Sequence, residues 1–364
     1  MIDVKQLLIE TIERNGSDLH LKVGNAPIIR VNKILEVVDS KSLTPEDTRE
    51  IAKSITTEEQ WAQLVQNHEV DFAYSAPKIG RFRTNIFYQR GSIGIVMRNV
   101  RSKILSFEEL GLPKVFEKIS LIPRGIILVC GASSSGKSTT LASMVDYINT
   151  HERKHVMTLE DPIEFLHRDN KSVINQREIG LDTTDFASAL KNVMRQDPDI
   201  ILIGEMRDAE SFSAAVSAAD TGHLVLSTLH TANASQAFGR IMDCFPSSER
   251  EQVRQQLAFN LKAVICQRLV NTADGKGIVP AVEVLLNNRT IQKLIVENEL
   301  DKIPDAIELG QEDGMQTFDL ALIKLLQSKK ITLEEALAKS DSPEMLNMKR
   351  QGIFLDETKR ILNS

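Results

Sequence analysis

The residues best suited to chemistry form the run GASSSGKST, 131–139. The run fits the spacing GxxxxGK[ST], follows the apolar segment GIILVC, and precedes a helical pattern with Leu141, Met144, Val145 and Ile148 on one face. In such a loop the backbone N–H groups at a helix start wrap an anion, and this spacing suits the phosphates of a nucleotide such as ATP. Gly131, Ser133, Ser134, Ser135, Gly136, Lys137, Ser138 and Thr139 are the candidate nucleotide-binding residues. Lys137 would reach the β- and γ-phosphates, and the Ser138 hydroxyl would ligate Mg2+. Ser134 stands where many such loops carry glycine, a replacement expected to strain the loop or alter its affinity.

Nucleotide hydrolysis also needs carboxylates, to hold the metal and to handle water. The run PDIILIGEMRD, 198–208, reads as a buried strand ending in acid, yet Gly204 stands before Glu205 where an aspartate usually binds magnesium. TLEDPIEF ends a second strand in Glu160 and Asp161, stopped by Pro162. Carboxylates at the C-terminal ends of neighbouring parallel strands converge on the phosphate crevice. Magnesium needs only one or two protein oxygens beside phosphate and water. Glu160 or Asp161 can supply what Gly204 does not, leaving Glu205 to orient or deprotonate water. The competing role for these acids is to cap the following helices or to pair with Arg177 and Arg207.

His230 closes STLHT at another strand end, where a structural hydrogen bond and γ-phosphate sensing are both open. In GRFRTN, Arg81 and Arg83 are two apart on a strand and share a face with Asn85. They are either a solvated edge or arginines offered across a subunit boundary, a contribution of about 10³–10⁵ in rate for phosphoryl transfer.

These groups need a scaffold, and the sequence divides into two parts. At 364 residues, 42% hydrophobic and 26% charged, the chain has the composition of a globular protein with two cores. No apolar run approaches the ~20 residues that span a bilayer. Cys130, Cys244 and Cys266 form no CxxC pair, which argues against a disulfide framework or a cysteine zinc site and suits a reducing cytosol. A net charge of −6 without a long basic tract argues against a nucleic-acid footprint.

Residues 1–16 place Val4, Leu7, Leu8 and Ile12 on one helical face, ended by Gly16, and SDLHLKV alternates as a strand. A helical stretch over 45–65 and a hairpin turning at Gly91 complete a small α+β domain, residues 1–100. Residues 101–118, punctuated by Gly111, Leu112 and Pro113, read as a linker. Strand–helix alternation then fills 119–289, with HVMTLE, DIILI and HLVLSTLH as continuous apolar strands of a parallel sheet. Helical patterns dominate Ser247 to Val270 and again 290–364.

In this order GSDLHL, GRFRTN, GLP, the phosphate loop, TLEDPIEF, NQREIG, ALKNVMRQDPDIILIGEMRD, TGHLVLSTLHT and GMQTFDLALIKLL resemble the type IV pilus retraction branch of the secretion ATPases. The likeness runs almost the whole length. It implies a PAS-like N-terminal α+β domain, a RecA-like P-loop ATPase core and C-terminal helices. It further implies a cytoplasmic homohexamer that binds ATP and Mg2+ at the base of the pilus, peripheral to the inner membrane. Turnover there would act on an inner-membrane platform protein, and through it on pilin, to drive retraction and twitching motility. Glycine before Glu205 is normal in this family, and Arg81 and Arg83 match arginines it associates with the nucleotide.

Gly239 stands where the family usually has aspartate, and Val296 where retraction motors commonly have arginine. These departures, with the tail EEALAKSDSPEML, suit an accessory paralog that works beside a principal retraction ATPase. An extension or type II secretion ATPase is the lesser alternative, since that branch typically carries a four-cysteine module and a longer N-terminal region.

Overall fold

The computed structural model describes residues 3–31, 34–38 and 41–351; the helical expectation past 351 lies outside them. The chain divides into two compact units, one comprising 1–103 with 164–166, the other 104–163 with 167–364.

In the first unit, α1 (Val4–Glu13) opens on Asp3, whose carboxylate accepts from the Lys5 N–H, and buries Val4, Leu7, Leu8 and Thr11. The strands β1 (Asp18–Leu21), β2 (Ile28–Val31) and β3 (Ile34–Val37) precede helices α2 (Pro45–Ile55) and α3 (Glu58–Asn67). Then come β4 (Glu69–Ala76), β5 (Gly80–Gln89) and β6 (Ser92–Asn99). The strands form one antiparallel sheet in the order β3-β2-β1-β6-β5-β4. The helical stretch 45–65 resolves into two helices. Thr57 starts a new capping box, taking the Gln60 N–H on its hydroxyl while Gln60 Oε1 takes the Thr57 N–H, and this satisfies amides that a helix start leaves open. Alternation along β5 buries Phe82, Thr84 and Ile86, so Arg81, Arg83 and Asn85 occupy the opposite face.

The second unit begins inside the stretch read as a linker. Helices α4 (Phe107–Leu110) and α5 (Val115–Ser120) fold there, because Phe107, Leu112, Phe116 and Ile119 bury themselves in a core with the sheet. The sequence continues through β7 (Gly125–Cys130), α6 (Lys137–His151), β8 (His155–Glu160), β9 (Val173–Glu178), α7 (Phe186–Val193), β10 (Ile200–Ile203) and α8 (Ala209–Asp220). It goes on with β11 (Leu224–Leu229), α9 (Ala234–Asp243), α10 (Arg250–Asn260), β12 (Leu261–Asn271) and β13 (Ile278–Leu286). Five helices close it: α11 (Arg289–Glu297), α12 (Ile303–Leu309), α13 (Phe318–Gln327), α14 (Leu333–Lys339) and α15 (Pro343–Arg350).

The sheet order is β13-β12-β7-β11-β10-β8-β9, parallel throughout except for β13. Both faces are covered: along β7, Ile126, Leu128 and Cys130 enter one core while Ile127 and Val129 enter the other. This doubly covered parallel sheet is the α/β architecture that the strand–helix alternation implied. The helical reading of residues 261–270 is corrected here. They form β12, hydrogen-bonded between β7 and β13. An apolar run buried on both faces carries no period that separates strand from helix.

Candidate nucleotide site

The loop after β7 turns through three residues of positive φ, Gly131 (150°), Ser134 (62°) and Gly136 (89°), and delivers the chain into α6. At Ser134 a left-handed backbone carries a side chain, which costs about 1–2 kcal/mol relative to glycine. That is the physical content of the strain anticipated at this position. Lys137, at the first turn of α6, is buried, and its ammonium donates to the Gly131 and Ala132 carbonyls at 2.9 Å each. The Ser135 hydroxyl is buried and makes no hydrogen bond within the described structure. A buried hydroxyl in a concave loop of N–H groups is chemistry that fits a phosphate oxygen.

The acids lie at neighbouring strand ends, β8 and β10 being parallel partners. Glu160 Oε1 accepts from the Thr158 hydroxyl at 2.6 Å and from the Gln176 amide Nε2 at 3.1 Å. Glu205 follows β10, and its Oε2 pairs with Arg207 at 2.7 Å while its Oε1 lies 3.5 Å from His230 Nε2. The fold therefore brings Glu205 and His230 together. It also supplies the Arg207 pairing that stood as the competing role for Glu205. Arg177 instead donates to the Asp182 carbonyl at 2.9 Å. Next to His230, the Thr231 hydroxyl is a second buried group without a hydrogen bond in the described structure.

Gly204 has a steric explanation. Its N–H donates to the Leu159 carbonyl at 2.8 Å, and its own carbonyl accepts from the Thr228 hydroxyl at 2.7 Å. A Cβ there would lie 3.3 Å from the Leu159 oxygen and 3.4 Å from the Glu160 Cα. Close packing of β10 against β8 thus disfavours an aspartate at 204.

No group of three or more His, Cys, Asp or Glu side chains among the described residues is arranged to hold a metal. Magnesium suits such a site because it takes most of its ligands from phosphate and water. Ser138, one residue into α6, and Glu160 or Asp161 are the residues that would hold such an ion, which would neutralise charge on the phosphates. Arg81 and Arg83 belong to the first unit, on the outer face of β5; Arg83 is exposed, and Asn85 donates to Glu69 at 2.8 Å.

Residues 1–315 match the family described as Type II/IV secretion system protein. The chain is a member of that family. It is 43% identical over 347 residues to the type IV pilus ATPase PilU of Pseudomonas aeruginosa, covering 95% of this chain and 91% of that protein. It is 41% identical over 343 residues to the type IV pilus retractation ATPase PilT of the same species, covering 94% and 99%. Among solved structures, the pilus retraction motor PilT with bound ADP superposes with a TM-score of 0.88 at 42% identity, over 95% of this chain and 99% of that one. The ATPase DotB of Legionella pneumophila superposes with a TM-score of 0.74 at 26% identity, covering 91% and 93%.

For this secretion ATPase, the sequence reading missed the partners that hold the site together. Gln176 and Thr158 orient Glu160, and Gln267 on β12 accepts from the Thr140 hydroxyl at 2.7 Å, directly behind the loop. Only a correct strand assignment for 261–271 would have drawn attention to Gln267. Of the two sequence departures, Gly239 faces open space and Val296 is exposed on α11, so neither is forced by packing.

Proposed function

We propose that this ATPase powers type IV pilus retraction, working as a homohexamer with ATP and Mg2+ on the cytoplasmic side of the inner membrane. The observation that carries the reading is near-complete collinearity with the retraction ATPases, 99% of PilT being covered, around an intact phosphate loop. By contrast, the match to the type II secretion system protein E of Xanthomonas campestris spans 47% of this chain and 28% of that longer protein, which disfavours the extension and secretion branches. Among the described residues no helix is long and apolar enough to cross a membrane, so force would reach pilin through a membrane platform protein.

In this scheme Lys137 and the loop amides hold the phosphates, and Ser138 with Glu160 or Asp161 holds the metal. Glu205 positions or deprotonates the attacking water. His230 would relay the state of the γ-phosphate to Glu205, a role its 3.5 Å separation from that carboxylate supports. Arg207 must share or release Glu205 during turnover, and its side chain is 68% exposed and has room to move. Arg81 and Arg83 are the candidate arginines for a neighbouring subunit's nucleotide. Nucleic acid is not among the proposed partners.

The deciding experiment is deletion of the gene, alone and beside deletion of any paralog, with surface pili counted and retraction scored. Normal or excess pili with impaired retraction support the reading. Loss of all pili would make the chain an extension motor. A retraction defect that shows only in the double deletion would mark it as the accessory partner, a reading favoured by the exposed Val296.

A further inference from the structure

A loop with three positive-φ residues in six has no strand or helix ladder to hold its curvature. Within it the Lys137 ammonium ties back to the Gly131 and Ala132 carbonyls, and the sheet register supplies a second brace from outside. Strands β7 and β12 run parallel with Cys130 opposite Cys266, so the next residue of β12, Gln267, comes level with Gly131 as the loop begins. Its side chain is buried, 4% exposed. Three contacts follow. A Cβ on Gly131 would lie 2.6 Å from the Gln267 carbonyl oxygen, and a Cβ on Gly136 would lie 2.7 Å from Gln267 Nε2. The Gln267 Oε1 accepts from the Thr140 hydroxyl at 2.7 Å, in the first turn of α6. The residue thus closes on the loop's entry with its backbone carbonyl, and on the loop's exit and the helix it feeds with its side chain.

We infer that Gln267 is a positioning residue for nucleotide binding, which holds the phosphate loop in its open, anion-ready curve before any nucleotide arrives. The inference rests on the nucleotide site described above, and not on the direction in which the motor works. A brace of this kind has a distinctive kinetic signature. Without it the loop populates other curves, and apparent affinity falls by the fraction of molecules still competent. Saturating nucleotide restores the bound loop, so the chemical step is spared.

The test compares the full-length protein with Gln267→Ala, Gln267→Glu and Thr140→Val in steady-state MgATP hydrolysis, equilibrium ADP binding, and melting of the nucleotide-free protein. Gln267→Ala is expected to raise KM about three- to tenfold, the shift one lost net hydrogen bond allows, with kcat within about twofold of wild type. Gln267→Glu keeps the length and the acceptor for Thr140, yet sets a negative oxygen beside Gly136. It is expected to weaken binding at least about tenfold, more than alanine does, and to lower the melting temperature as the buried carboxylate ionises.

If Gln267 merely packs the core, Thr140→Val, which removes only the hydroxyl that Gln267 holds, binds nucleotide like wild type, and the inference is overturned. It is equally overturned if Gln267→Ala lowers kcat at unchanged KM, or changes neither. Should Gln267→Ala fail to fold, the order of Thr140→Val and wild type in ADP binding still decides, weaker binding by Thr140→Val supporting the brace and equal binding overturning it. That binding order is independent of pilus assays, so failure of the retraction reading and failure of this one are separate results.

Discussion

Glu283 on β13 offers a quantitative test of how the sheet supports the site. Its side chain is 7% exposed, and its Oε1 accepts from the N–H of Ala234 at 2.8 Å. Ala234 opens α9, the helix that follows the His230 segment. Burial pushes the carboxyl from its ordinary value of 4.5 up to about 7. The Ala234 N–H and the Arg268 guanidinium pull the other way, Asp341 adds to the rise, and Arg268 is itself committed to Asp341 at 2.8 Å. The sign follows from proton linkage. The unfolded chain releases its proton near pH 4.5 while the folded chain keeps it to about pH 7, so stability falls as pH rises through that window. At about 1.4 kcal/mol per pH unit, the ionised carboxylate costs on the order of 3 kcal/mol at pH 8.

Glu283→Gln keeps the acceptor for Ala234 and removes the charge. It should therefore stabilise the protein by about 3 kcal/mol at pH 8, roughly 5–10 °C in melting temperature for a unit of this size, and by less than about 1 kcal/mol at pH 5. Circular dichroism is the suitable probe, because the single tryptophan, Trp61, reports on the first unit. An equal shift at both pH values would refute the reasoning. So would destabilisation at pH 8, which would mean that Arg268 more than offsets the burial of the charge.

Three further outcomes are expected. Lys137→Ala should abolish measurable ATP binding, whereas Glu205→Gln should bind normally and turn over about 10²–10⁴-fold more slowly; wild-type turnover in Glu205→Gln would transfer the water-handling role to Glu160. Gly204→Asp should not add a useful metal ligand but should force β8 and β10 apart at Leu159 and Glu160, so its MgATPase activity should fall; unchanged activity would refute the steric account of this glycine. Ser134→Gly relieves a φ of 62° and should stabilise the nucleotide-free protein by about 1 kcal/mol in denaturant unfolding, with no gain if Ser134 is unstrained.

Much of this protein is determined locally, and those parts were legible in the sequence. The spacing from Gly131 to Lys137 sets a phosphate loop because glycine and helix-start chemistry act within a few residues. The apolar runs ending in Glu160, Glu205 and His230 read as parallel strands because both of their faces are buried, and β5 could be assigned its two faces from alternation alone. Local signals were weaker where they competed: Thr57 split a helical stretch by capping, and Phe107 and Phe116 turned an apparent linker into core. The tertiary structure alone decided what depends on distant residues meeting. Residues 261–270 became a strand because β7 and β13 offered hydrogen-bonding edges on both sides. That pairing put Gln267 against Thr140, 127 positions away in the chain. Likewise Gly204 must be small only because β8 lies against it, and Glu205 meets His230 only because β10 and β11 are neighbours. Spacing and periodicity describe what a segment can do by itself; which partner closes on it is set by sheet order, and that is a property of the whole packed core.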